Sequence, residues 1–147
     1  MGFSDIVTAP LTRPGDRGDL FLAAEFDKPD LRLGRYDTTE AAIADAAAAA
    51  KRAGLGLLVD IVLDRIALDA VDRTGYEAVP GAGALDPRRP ADSAAAFARF
   101  DAAALDRWTA RLRAWTRHGA AGFRLLGLEH VPADFLAKLV AAVKARF

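Results

Sequence analysis

The sequence lacks several features that would assign a protein to a broad class. It contains no cysteine, which excludes both a disulfide framework and a thiolate metal site. It has no excess charge of either sign, because 20 basic residues balance 20 acidic ones, and this argues against general electrostatic binding to nucleic acid or to an anionic membrane. No apolar segment has the length of a membrane span, and the N-terminus lacks the basic start and apolar run of a secretion signal. We therefore expect a cytoplasmic protein that binds neither nucleic acid nor membrane.

Short apolar runs alternate with helical segments along the 147 residues, a length that suits one domain. The β-branched run 6–9 stops at Pro10 and predicts a first strand. Residues 55–63 form a nearly continuous apolar run, which is typical of a strand buried on both faces. Residues 123–126 predict a third, short strand. The whole chain, 1–147, is predicted to be a single domain.

Three helices are predicted between and after these strands. Asp37 and Glu40 have capping-box spacing ahead of an alanine-rich run that Gly54 ends, which predicts a helix over 41–53 with Asp37 as its N-cap. Pro132 predicts the start of the last helix. The middle helix is predicted over 101–117, with its core side chains at helical spacing: Leu105, Trp108, Leu112 and Trp115. Repeated strand–helix units predict an α/β fold with a parallel sheet.

The connections are less regular. Residues 13–18 are predicted to be a loop, and 19–26 to be extended or irregular. Residues 66–94 form a turn-rich insertion, and an insertion of this length inside an α/β unit is more often functional than idle. Four arginines of the middle helix do not alternate with aromatic residues, so we interpret them as a solvated helix face and not as a nucleic-acid track: Arg107, Arg111, Arg113 and Arg117.

Two segments at predicted strand ends resemble motifs of the α-amylase family. Residues 122–130, Gly-Phe-Arg-Leu-Leu-Gly-Leu-Glu-His, resemble the motif of the family's fourth strand, Gly-Phe-Arg-Leu-Asp-x-x-x-His. Residues 60–65, Asp-Ile-Val-Leu-Asp-Arg, resemble the third-strand motif Asp-x-Val-x-Asn-His. The run 6–10 looks like the second strand, which commonly ends at a proline. The chain is most similar to the degenerate amylase-like region of bacterial proteins related to α-1,4-glucan maltosyltransferases.

The resemblance implies a partial (β/α)8 TIM-barrel-like fold, with about three of the eight units present as strands two to four. A curved parallel sheet that is open on both sides would expose unpaired strand edges. We therefore expect as partner either the remainder of a barrel or further copies of the chain, in a homo-oligomer through these edges.

The resemblance also implies that the family's chemistry is incomplete. Leu126 stands at the position of the family's nucleophilic aspartate, and the matching region ends before the fifth strand, which carries the acid/base glutamate. Retaining glycoside hydrolysis needs two carboxyl groups on either side of the scissile bond. We therefore expect the chain to be inactive alone, a pseudoenzyme. Glu129 is the alternative catalytic candidate, because it is the only carboxylate in the fourth-strand motif.

Three residues are the candidate binding site for an α-glucan or maltooligosaccharide, because the resemblance places them where relatives contact sugar: Asp60, Arg124 and His130. A structural role is the alternative for each. Arg124 and Asp60 could form a bidentate ion pair that satisfies both groups inside the barrel mouth, and His130 could cap the turn into the last helix. We expect no cofactor and no metal, since Asp60 and Asp64 alone are too few ligands for a hard cation.

Three functional hypotheses follow. The chain is a structural or weakly carbohydrate-binding segment linked to α-glucan metabolism, or it is part of an active glycoside hydrolase or maltosyltransferase that further residues or a partner chain complete. The third hypothesis is an unrelated open α/β binding module, in which the two motifs match by accident.

Overall fold

The computed structural model describes residues 2–79 and 95–145. The strands and helices follow one another along the chain in this order: β1 (Asp5–Thr8), β2 (Thr12–Pro14), β3 (Ala23–Pro29), α1 (Thr39–Arg52), β4 (Gly56–Val62), β5 (Arg65–Ala67), β6 (Tyr76–Val79), β7 (Ala95–Ala98), α2 (Ala102–Arg117), β8 (Gly122–Leu126) and α3 (Ala133–Lys144). Single 3-10 turns lie at Leu31–Leu33 and Leu128–His130.

The main sheet is formed by three parallel strands in the order β1-β4-β8. Asp5 of β1 is level with Gly56 of β4, and Leu58 of β4 is level with Gly122 of β8. Each strand is followed by a helix, so that α1 and α2 are the crossovers between neighbouring parallel strands. The predicted α/β fold with three parallel βα units is confirmed.

The core lies between this sheet and its helices. Alternate residues of β4 project toward the helices, as the twofold period of a strand requires, and Leu57, Val59 and Ile61 belong to the core cluster. Trp108 and Trp115 of α2 are both buried there, as their helical spacing predicts. The opposite face of β4 carries Leu58, Asp60 and Val62.

The helix caps agree with the sequence in two cases and differ in one. Asp101 caps α2 by accepting a hydrogen bond from the N–H of Ala104 at 2.8 Å, and α3 starts directly after Pro132. The N-cap of α1 is Thr38, whose Oγ1 accepts from the N–H of Ala41 at 3.2 Å. Asp37 was the predicted N-cap, and this prediction is wrong by one residue because Thr38 and not Asp37 stands three positions before that N–H.

Two small antiparallel sheets pack beside the main one. β2 pairs with β3, so the prediction of a loop over 13–18 is wrong for its first two residues, which lie in β2. β5, β7 and β6 form a second antiparallel sheet, in which β5 and β6 fall at the start and in the middle of the predicted insertion 66–94 and β7 directly follows it. The last part of the insertion, 80–94, lies outside the described residues. Both sheets depend on pairing between distant segments, which local composition does not encode.

Two of the four arginines on α2 are half-buried and contact other parts of the protein. The guanidinium of Arg111 lies over the ring of Phe26, 4.0 Å from its centroid, and 5.0 Å from the centroid of Trp108. Arg113 donates a hydrogen bond to the carbonyl of Ala142 in α3 at 2.5 Å. The interpretation of a solvated helix face is therefore wrong for these two side chains, because planar guanidinium groups also pack on rings and carbonyls.

No helix within residues 2–79 and 95–145 is long and apolar enough to cross a membrane.

Candidate functional site at the strand ends

Asp60 and Arg124 form a bidentate ion pair across two neighbouring strands. They are level with each other in the β4–β8 register. Arg124 donates from Nε to Oδ1 and from Nη2 to Oδ2 of Asp60, both at 2.7 Å. Asp60 is only 1% exposed, whereas the side chain of Arg124 is 57% exposed. The hydrogen bond to Asp60 raises the pKa of Arg124 further above its usual value, so this guanidinium stays charged.

Leu126 lies on the same face of β8 as Arg124, because side chains two residues apart point to one side of a strand. It is level with Val62 of β4. The position that the family motif assigns to a nucleophile is therefore occupied by Leu126. This side chain and Val62 form an aliphatic pair beside the Asp60–Arg124 pair. An aliphatic side chain offers no oxygen that could attack an anomeric carbon.

A second charged cluster joins the loops that follow β4 and β8. Arg65 donates from Nε to Oδ1 of Asp64 at 2.9 Å and from Nη2 to Oδ2 at 2.7 Å. The same Nη2 donates to Oε1 of Glu129 at 2.6 Å. Asp64 is fully buried and the Arg65 side chain is 6% exposed. The hydrogen bond to Asp64 is the main reason that the pKa of Arg65 is raised.

His130 belongs to this second cluster. Its Nδ1 lies 2.9 Å from Oδ2 of Asp64, and its ring packs edge-on against Phe97 with centroids 5.0 Å apart. The guanidinium of Arg65 lies over the same Phe97 ring at 4.8 Å. Phe97 is in β7, so its contact with His130 joins the β5-β7-β6 sheet to the loop after β8. His130 thus contacts Asp64 and Phe97, in addition to any ligand it could bind.

Gly127 permits the close approach of the two loops. Its backbone is left-handed, with φ of 65°, and a Cβ at this position would overlap Oδ1 of Asp64. Only glycine combines this conformation with an absent side chain at no steric cost. The chain therefore turns sharply after β8 and directs Glu129 and His130 back toward β4.

Glu129 has the wrong electrostatics for a general acid. A hydrogen bond from its own backbone N–H is the main cause that lowers its pKa, and Arg65 adds to this effect against the opposing effect of partial burial. A carboxyl group that protonates a leaving oxygen needs a raised pKa. The side chain is also 57% exposed.

Asp64, Glu129 and His130 bring their ligand atoms within 4.8 Å of one another, which is a donor set that could hold a metal ion. Arg65, however, already donates to both carboxylates and supplies the compensating positive charge. Asp60 is bound to a different guanidinium, that of Arg124. The two aspartates considered as a cation site therefore each have their own arginine.

The structure thus brings together only part of the predicted binding set. Asp60 and Arg124 contact each other, as predicted, while His130 contacts Asp64. Sequence reasoning missed the roles of Arg65, Phe97 and Gly127. The signal for Arg65 was its place in the third-strand motif, but nothing in the sequence around Phe97 indicates that this residue meets His130.

No family model matches the sequence, and no curated protein matches it. Several solved structures match the fold. An α-amylase from Geobacillus thermoleovorans, in complex with acarbose, has a TM-score of 0.75 and 17% identity, over 98% of this chain and 34% of that chain. A noncanonic maltogenic α-amylase from Thermotoga neapolitana has a TM-score of 0.69 and 19% identity, over 92% of this chain and 34% of that chain. A cyclic α-maltosyl-(1→6)-maltose hydrolase from Arthrobacter globiformis has a TM-score of 0.67 and 16% identity, over 97% of this chain and 35% of that chain.

The chain therefore spans about a third of the length of these enzymes. At such identities the likeness concerns the fold alone. The chain has the fold of a segment of the α-amylase family barrel, with β1, β4 and β8 as its consecutive parallel strands.

Proposed function

We propose that this chain is a catalytically silent segment of an α-amylase-type barrel that binds α-glucan weakly and belongs to α-glucan metabolism, in a maltosyltransferase-like protein of the cytoplasm. The observation that carries the proposal is Leu126, which stands beside an intact Asp60–Arg124 pair. General acid–base help alone contributes about 10²–10⁴ in rate, and the chain has neither a nucleophile at Leu126 nor an acid with a raised pKa at Glu129.

Sugar binding is supported by the unused donors of Arg124. Its Nε and Nη2 bond to Asp60, and its Nη1 makes no hydrogen bond within the described part of the chain. Because the side chain is more than half exposed, Nη1 is open to a hydroxyl group of a ligand. A guanidinium that a buried carboxylate holds in place loses little further freedom on binding, which favours recognition by few contacts.

A titration with maltoheptaose, followed by amide NMR spectra, tests the binding. We expect millimolar sugar to shift the amide signals around Asp60, Arg124 and His130, and Arg124→Gln to abolish these shifts. Arg99→Gln is the matched control, because Arg99 is another exposed arginine, and its ion pair is with Glu77 and not with Asp60. Unchanged spectra of the parent chain would leave only the structural role.

A second candidate function is an active glycoside hydrolase or maltosyltransferase that further residues or a partner chain complete. It is favoured by one observation, that the chain spans about a third of the length of the matching enzymes. This candidate predicts glucan turnover only in the presence of the completing polypeptide. Turnover would depend on the carboxylates of that polypeptide and would be unaffected by Glu129→Gln.

The third hypothesis, an unrelated open α/β module, required both motifs to match by accident. The fold likeness to the α-amylases over nearly the whole chain supports the first two hypotheses more than this one.

A further inference from the structure

A pocket of about 160 Å³ lies beside the middle of α2. Its walls are part of β3, the segment 71–76 that leads into β6, and one face of α2, and no residue of β1 or β8 lines it. The pocket is smaller than the clefts of about 300–1,000 Å³ that take drug-sized ligands. It therefore suits a small ligand or the head group of a larger one. We call it the α2 pocket.

Arg107 and Arg111 bring two positive charges to the α2 pocket. Residues four apart are neighbours on a helix surface, and like charges in this arrangement repel each other. Nη2 of Arg107 lies against Gly75, where a Cβ would overlap it. The guanidinium of Arg111 is held over the rings of Phe26 and Trp108. The fold thus places two cations side by side at one pocket.

These two guanidiniums make no hydrogen bond and no ion pair within residues 2–79 and 95–145. The carboxylates that line the pocket with them have other contacts. Glu25 is paired with Arg13 at 2.8 Å, and Asp72 accepts a hydrogen bond from the N–H of Thr74 at 2.8 Å. Asp27 is exposed and attracts the pocket arginines only from beyond ion-pair distance. The donors of both guanidiniums are therefore available to a ligand.

Burial makes a bound anion favourable at this place. Burial is the main reason that the pKa of Arg111 is lowered; the charge of Arg107 adds to the effect, and Tyr76 and Asp27 oppose it. A half-buried cation without hydrogen bonds has lost part of its hydration and gained no partner in return. Burial also raises the pKa of Tyr76, so this phenol stays protonated and can donate a hydrogen bond. An oxyanion in the pocket would compensate both arginines at once.

We infer that the α2 pocket binds the phosphate group of a small ligand between Arg107 and Arg111. Guanidinium groups match phosphate oxygens with parallel pairs of N–H donors. A phosphate group carries up to two negative charges at neutral pH, which suits two cations better than a monocarboxylate does. The hydroxyl group of Tyr76 is a further donor. The inference is independent of the proposed sugar binding, because neither Asp60 nor Arg124 lines the α2 pocket.

NMR spectra of the arginine side chains, recorded during a titration with inorganic phosphate, test the inference. We expect millimolar phosphate to shift the Nε–H signals of Arg107 and Arg111 with one shared dissociation constant. Arg107→Gln should weaken binding at least about tenfold, because it removes charge-assisted hydrogen bonds. Tyr76→Phe keeps the ring and should weaken binding at least about threefold. Arg117→Gln is the matched control, because it removes the same charge from an exposed arginine of α2 outside the pocket, and it should bind like the parent.

Two further ligands define the chemical class. Tighter binding of glycerol 2-phosphate than of inorganic phosphate would identify an organic phosphate as the ligand, and the reverse order would identify the free ion; both results support the inference. Three results would overturn it: a parent chain without shifts, acetate that binds as tightly as phosphate, or Arg107→Gln and Tyr76→Phe that both bind like Arg117→Gln. Arg124→Gln should retain the phosphate-dependent shifts although it loses the sugar-dependent ones, so failure of one proposal is distinguishable from failure of the other.

Discussion

Arg65 connects the loops that follow β4 and β8, because one guanidinium bonds to Asp64 and Glu129. Arg65→Met should leave the fully buried Asp64 carboxylate without its ion pair. Removing one partner of a buried pair costs about 3–5 kcal/mol, and we expect a loss of unfolding free energy in this range in urea denaturation. Arg99→Met breaks an exposed pair with Glu77 and should cost no more than about 1 kcal/mol. Equal losses for both variants would contradict the role assigned to Arg65.

Substitutions at Gly127 and Gly54 separate the free-energy cost of a left-handed backbone from the cost of steric overlap. Gly127→Ala places a Cβ on Oδ1 of Asp64 in a left-handed backbone, whereas Gly54→Ala has a similar backbone with no atom within 4 Å of the new Cβ. The left-handed conformation alone costs about 1–2 kcal/mol for alanine. We expect Gly54→Ala to lose this amount and Gly127→Ala to lose clearly more in urea unfolding. The same loss of unfolding free energy at both positions would show that the Asp64 side chain moves aside at no cost.

Glu129 should make the stability dependent on pH in the acid range. Its folded-state pKa is lower than its ordinary value of 4.5. It therefore adds stability above that value, which is lost as the pH falls through the folded-state pKa. Glu129→Gln should be less stable than the parent at neutral pH, by no more than about 1 kcal/mol because the side chain is exposed. The difference should shrink as the pH falls below 4.5 and through the folded-state pKa. A difference that grows with acidity in chemical denaturation would refute the sign.

The residues of the site were predictable where a motif position carries a chemical requirement. A buried carboxylate level with an arginine on the next strand needs an ion pair, and Asp60 and Arg124 form one. The contact of His130 with Asp64 and Phe97 was not predictable, because it depends on the path of the chain after Gly127 and on the placement of β7. Both are tertiary effects that sequence spacing does not encode.

At the scale of elements, substitutions at the start of α1 test whether Thr38 or Asp37 caps the helix. Thr38→Ala removes the side-chain oxygen that caps the helix and should cost about 1 kcal/mol. Asp37→Ala should have a smaller effect, because the backbone carbonyl of Asp37, which the substitution keeps, accepts a hydrogen bond from Lys28. Thermal unfolding of the two variants measures this directly. A larger loss for Asp37→Ala would restore Asp37 as the cap.

The elements with strong local signals were predicted, and those that depend on distant pairing were not. The three parallel strands are apolar runs between capped helices, so periodicity and caps locate them within one or two residues. β2 contains Pro14 and pairs with β3 through irregular register, so composition indicated a loop. The antiparallel sheet of β5, β7 and β6 lies in a turn-rich segment, where only the tertiary fold shows which residues pair.

At the scale of the whole molecule, three parallel strands and their helices form a core on one side of a sheet whose outer strands, β1 and β8, each pair on one side only within the described residues. A complete (β/α)8 barrel closes on itself and has no edges. The exposure of Ile6 and Val140 follows from the open position beyond each outer strand.

The most direct test of the central claim is the release of reducing ends from maltoheptaose by the purified chain, measured beside Glu129→Gln. Because Leu126 provides no nucleophile and Glu129 has a lowered pKa, we predict no release above the buffer blank for either protein. Steady turnover by the parent chain that Glu129→Gln abolishes would contradict the account, since it would show that this carboxylate performs the chemistry.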